Sequence, residues 1–115
     1  MSDVALIKGD ERRQNILRAL KLIEDQINFG EHIVVKPNMV SVTKPLSGTH
    51  AEALDAVLEF IRQRTDRDIV VAEGSAYADS MKGFALYGLA EVAKRYGAKL
   101  VELNRDQWVE VEACC

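Results

Sequence analysis

The chain has 115 residues, 48% hydrophobic and 29% charged, a composition that suits one globular domain with a single core and excludes a disordered chain. Its 15 basic and 18 acidic residues leave a formal charge of -3, so nothing draws the whole molecule to nucleic acid or an anionic membrane, and any electropositive site must be local. No apolar run approaches the roughly 20 residues that cross a bilayer, and Met1-Ser2-Asp3 opens no signal peptide, so the cytoplasm is the expected location.

Val4 to Ile7 is a short apolar run that predicts a first strand, punctuated by Gly9-Asp10. Ile16, Leu20, Ile23 and Ile27 then recur at helical spacing, with Asp10 as the expected N-cap and Gly30 just past the end. Ile33 to Val35 predict a second strand whose lack of polar alternation marks cover on both faces. Thr49-His50-Ala51-Glu52 fits a capping box at the start of a second helix, in which the threonine hydroxyl accepts a backbone N–H and the glutamate reaches back to the cap. Leu54, Val57, Leu58 and Ile61 form its apolar stripe. Ile69-Val70-Val71-Ala72 predict a third strand, and helix follows over 80–87 and 89–96, interrupted at Gly88 and stopped at Gly97. Leu100, Val101 and Leu103 give a fourth strand; Trp108 to Val111 alternate like a fifth at an edge. Cys114 and Cys115 are the only cysteines and are adjacent, so they make neither a disulfide framework nor a closed metal site by themselves.

Strand and helix alternate. The fold expected for residues 1–115 is therefore a single three-layer, Rossmann-like α/β domain, with a mostly parallel sheet of four to five strands and helices on both faces. Ligands of such sheets sit beyond the carboxyl ends of the strands, which here means residues 36–50, 73–79 and 104–105. The first of these segments is the most conspicuous. Twelve residues from Pro37 to Gly48 pass before the helix signal, and no Asp or Glu occurs from Ile33 to Ala51, whereas Lys36 and Lys44 are cationic. Strand-to-helix connections usually take about two to six residues, and longer ones often carry function. The stretch is a candidate loop for a small anion.

Within it, Lys36 can meet a phosphate or carboxylate as a point charge, or simply mark where the strand reaches solvent. Asn38 offers a donor and an acceptor but also suits a turn after proline. Thr49 is most simply a helix cap. His50, in the first helical turn, is a candidate ligand or acid/base group. Glu73 ends a buried strand and precedes Gly74-Ser75, where the backbone can approach a ligand closely; it is the second catalytic candidate. Asp79 with Ser80 reads as the cap of the next helix. Gly74-Ser75-Ala76 lacks a dinucleotide fingerprint and no Walker lysine motif occurs, which disfavours NAD or ATP. His50, Glu52 and Glu73 are ligand types but match no metal spacing, so no metal site is assigned. Trp108 and Tyr96 read as packing residues.

Lys36-Pro37-Asn38 after an apolar strand, Thr49-His50 with an acid two positions on, Val71-Ala72-Glu73-Gly74, and Tyr87-Gly88 followed by Tyr96-Gly97 resemble the prokaryotic family known as domain of unknown function 362, from about Val4 to Val111. The resemblance implies a longer domain of which this chain is an amino-terminal portion. It also implies ferredoxin-like iron–sulfur segments in some relatives; the cysteine runs that hold such clusters are absent here, so this chain alone is expected to bind none. Ala51 stands where relatives often have proline. Three functions stay open: a domain that binds a small anionic ligand as part of an enzyme, an iron–sulfur-associated redox protein whose cluster-bearing part lies elsewhere, or a non-catalytic module that forms homo-oligomers through a sheet edge near Trp108.

Overall fold

The computed structural model describes residues 3–112; Cys114 and Cys115 lie outside them. Three strands, β1 (Ile33–Val35), β2 (Ile69–Glu73) and β3 (Lys99–Glu102), form a parallel sheet in the order β1-β2-β3. The register aligns Ile33 with Ile69 and Val35 with Val71, then Val71 with Leu100 and Glu73 with Glu102. Helix α2 (Ala51–Arg62) connects β1 to β2, and the pair α3 (Ser80–Leu86) and α4 (Leu89–Arg95) connects β2 to β3. Helix α1 (Arg12–Leu22) precedes the sheet and packs against α2.

The strand order explains the layering. Both crossovers advance by one strand in the same direction, and right-handed connections that never reverse put every helix on one side. The row Ile33, Ile69 and Val71 accordingly forms one buried cluster with Leu54, Leu58 and Ile61 of α2 and with Phe84, Leu89, Val92 and Ala93 of α3 and α4. The opposite row has no helix over it and is only partly shielded: Val34 is 63% exposed, Val70 and Val101 are half-buried, and only the small Ala72 between them is buried. Helices on both faces were expected from the unbroken apolar strands, but that pattern reports hydrophobicity and not which layers are present.

Two expected strands are absent from the sheet. Residues 4–7 carry no ladder, and Val4 and Leu6 are 89% exposed. Residues 108–111 likewise form no strand, and Trp108, expected to pack, is 76% exposed. The sheet of the described residues thus has three strands rather than four to five. At the start of α1, Glu11 rather than Asp10 holds the cap position and makes no side-chain cap bond. The break between α3 and α4 lies where the sequence puts it, because Gly88 takes a left-handed conformation (φ 73°) that suits glycine.

Candidate functional site

The carboxyl ends of the strands gather the polar residues. β1 delivers Lys36 to the rim, and residues 38–49 then close on themselves. Thr49 N–H donates to Asn38 O at 2.8 Å and Asn38 N–H donates to Thr49 Oγ1 at 2.8 Å, so the two residues pin the neck of the loop. The Asn38 side chain donates inward, to Ser47 O at 3.0 Å. Thr49 is therefore not the helix cap. His50 takes that role, its Nδ1 accepting from Glu52 N–H at 3.2 Å, while the Glu52 carboxylate pairs with Arg12 and lies 3.8 Å from His50 Nδ1 rather than bonding the cap's backbone. Met39 anchors the loop in the core, and Tyr87 OH donates to Ser41 O from α3's end.

Lys36 Nζ donates to Glu73 Oε2 at 2.9 Å. The Glu73 side chain is only 5% exposed whereas that of Lys36 is 58% exposed, so the pair is a buried anion held at the base of a solvent-facing cation. The other carboxylate oxygen, Oε1, accepts Gly74 N–H at 2.8 Å. Each carboxylate oxygen therefore has one partner, and Glu73 holds Lys36 in place from below. An ammonium has three donors; with one on Glu73, two remain for water or an anion. The Asn104 amide packs on the bare backbone of Gly74, where an added Cβ would lie 2.7 Å from Asn104 Oδ1. The close approach expected of a ligand is made by a neighbouring side chain.

Beyond Gly74 the chain enters a closed network. Ser75 N–H donates to Ser80 Oγ at 2.8 Å, Ser80 N–H and Oγ donate to Glu102 at 2.6 and 3.0 Å, and Asn104 Nδ2 donates to Ser75 O at 2.8 Å. Ser75 Oγ also reaches Val40 O at 3.5 Å, which ties β2's end to the long loop. Asp79 caps α3 through Met81 N–H and pairs with Arg105 at 3.1 Å. Burial pushes its carboxyl up, but the cap bond and Arg105 outweigh that and hold it below the usual carboxylate range.

Lys36, Glu73, Ser75 and Asn104 thus share one rim, and Asn38 with Thr49 hold the loop that flanks it. His50 faces a separate shallow hollow with Pro45, Thr49, Leu86 and Tyr87, which neither Lys36 nor Glu73 lines. Among the described residues no three His, Cys, Asp or Glu side chains converge as a metal cluster would require. Sequence reasoning overlooked Glu102 and the depth of Ser80. The signal was available: Val71-Ala72-Glu73 and Leu100-Val101-Glu102 both end an apolar strand in an acid, and the register places the two acids side by side.

A family model described as domain of unknown function (DUF362) matches residues 33–114, well over half of the chain. The chain belongs to this family. No curated protein and no solved structure matches it. The DUF362 match begins at the first residue of β1 and takes in the whole rim, so the earlier segment with α1 lies outside it. No helix of the described residues is long and apolar enough to cross a membrane.

Proposed function

We propose that this DUF362 domain binds a small anionic molecule at the carboxyl ends of its strands, as the ligand-holding part of a cytoplasmic enzyme. The Lys36–Glu73 pair carries the reading: a cation anchored from below by a buried carboxylate, with free donors toward solvent, beside a loop that has no acid of its own. Anchoring matters because a free lysine loses side-chain entropy when it binds, and Glu73 has already restricted this one. The ligand class is a carboxylate or phosphate, which an ammonium contacts as a point charge. Asn38, Thr49, Gly74 and Ser75 shape the rim, and His50 serves only a ligand long enough to reach its own hollow.

Titration of isotope-labelled protein with inorganic phosphate and with acetate tests this. Amide shifts centred on Lys36, Asn38 and Ser75 that saturate, and that vanish in Lys36→Ala while the rest of the spectrum stays folded, are the expected result. Identical shifts in Lys36→Ala would reject it. A second reading, an interaction module, is favoured by the exposed side chains of Trp108, Val109 and Val111 beyond the last strand.

A further inference from the structure

Beside β1 runs an open groove of about 470 Å³. Its base is the free edge of the strand from His32 to Lys36, and Leu20, Ile27, Phe29, Val57 and Phe60 make its apolar walls. That edge has no ladder partner among the described residues, since β1 pairs with β2 on its other side. Above it, α1 packs against α2 yet buries none of its own residues. This is where a crossover helix sits when the strand before it lies next to β1, because right-handed connections would place that helix in the same layer as α2.

Residues 4–7, Val-Ala-Leu-Ile, have the composition and length of a short strand. They already run along α1 in the required sense. The Asp3 carboxylate accepts from Gln26 beyond the end of α1, Ile7 lines one hollow with Arg18, Lys21 and Leu22, and Gly9 abuts Asn15 nearer its start. The segment therefore travels from the end of α1 toward its beginning. Because α1 leads down to the start of β1, that direction is parallel to β1.

We propose that residues 4–7 dock into the groove as a fourth parallel strand beside β1, and that their course along the flank of α1 is the undocked position of the same strap. Residues 8–11 then form a connection of ordinary length, about two to six residues, into α1. Docking covers the free edge, which otherwise invites pairing with another chain, and turns Val4 and Leu6, both 89% exposed in the undocked position, onto the apolar walls at Val57 and Phe60. It also carries Lys8 and Asp10 to the rim where Lys36 emerges, so the strap would govern access to the anion site. The docking itself does not rest on that reading. A tethered segment competes with the same segment of a second copy at an effective concentration in the millimolar range, which selects the chain's own residues as the occupant.

Nuclear magnetic resonance of the full chain tests the proposal without any ligand. Cross-strand contacts between residues 4–7 and 33–36 are expected. Amides of residues 5–7 should exchange at least about tenfold more slowly than in an unpaired peptide, and Leu6→Asp should remove that protection while leaving β2 and α2 protected. Exchange of residues 5–7 at unpaired rates with no cross-strand contacts overturns docking, as do contacts found only between differently labelled copies in a mixed sample. Should Leu6→Asp unfold the domain, the cross-strand contacts of the natural sequence still decide. Failure here leaves the phosphate titration untouched, and failure of that titration leaves the docking result standing.

Discussion

Asp55 is the residue on which the helical layer turns. On α2 it accepts from Arg13 of α1 at 2.5 Å, from Arg95 of α4 at 2.6 Å and from Tyr96 OH at 3.0 Å, so one carboxylate links three helices. Burial pushes its carboxyl up, but the hydrogen bonds from Arg13 and Tyr96, with the charges of Arg13 and Arg95, more than offset this and hold it below the usual range. Folding therefore favours the ionised form. The stabilisation is full above the ordinary carboxylate value of 3.8 and is lost as pH falls below it toward the depressed folded value. Tyr96 bounds the other side: burial and its bond to Asp55 raise its hydroxyl above 10.0, so its contribution holds below pH 10.0 and is lost as pH rises through the folded value. Urea unfolding against pH should show Asp55→Asn flattening the acid limb below pH 3.8, with little change at pH 6 to 9 beyond a uniform loss. Nothing in a single-helix pattern announces this residue, since its partners are 40 to 42 positions away. Lys36 and Glu73 were legible because strand ends have a known address in this architecture. Their unequal burial makes a second prediction: Lys36→Met strands a buried carboxylate and should cost about 1–3 kcal/mol, discounted for the exposure of the lysine. Glu73→Gln, which keeps an acceptor for Gly74 N–H, should cost less, as denaturant midpoints would show.

At the scale of the elements, the long loop and α3 are fitted to each other through a glycine. A Cβ on Gly83 would lie 2.0 Å from Met39 Sδ and 3.0 Å from Val42 Cγ1. Met39 is itself buried, so it has little room to retreat, and overpacking of this kind costs about 1–3 kcal/mol. Gly83→Ala should destabilise the domain by that amount, which lowers the thermal midpoint by about 4–8 °C per kcal/mol in a domain near this size, and should loosen residues 38–49 in hydrogen exchange. Gly88→Ala, by contrast, should cost about 1 kcal/mol through backbone strain alone, because the nearest atom to an added Cβ there is at 3.7 Å. The helix break at Gly88 and the stop at Gly97 were readable, since both sites need a positive φ (73° and 63°) that glycine supplies. The capping of α2 was not. Thr49 and His50 compete for one position, and the choice fell to Asn38, whose N–H occupies the threonine hydroxyl from across the loop neck. The strands divide in the same way. Ile33–Val35 and Ile69–Glu73 have partners on both sequence and structural grounds, whereas an apolar run such as residues 4–7 becomes a strand only when an edge accepts it.

For the molecule as a whole, surface area is the telling quantity. Its accessible surface is 8418 Å², against roughly 6,300 Å² expected of a compact folded monomer of this mass. Its radius of gyration of 15.2 Å likewise exceeds the roughly 13 Å of a compact domain near this length. Exposed apolar side chains are part of that surface: Val34 on the sheet face, Val4 and Leu6 in the strap, and Trp108, Val109 and Val111 beyond the last strand. Apolar surface left in water favours association, and only a formal charge of -3 opposes it at pH 7. That repulsion vanishes near the sequence pI of 5.4, a pH at which Asp55 is still ionised and the helical layer intact. Sedimentation should therefore show reversible, concentration-dependent association that strengthens from pH 7.5 toward 5.4. Val34→Lys and Trp108→Ser should each weaken it. Surface changes of this kind usually alter stability by less than about 0.5 kcal/mol, so unchanged unfolding midpoints would assign their effect to the interface. A strict monomer across that pH range would instead mean that the exposed valines and Trp108 meet only solvent or each other, and the interaction reading would fall while the rim around Lys36 kept its own test.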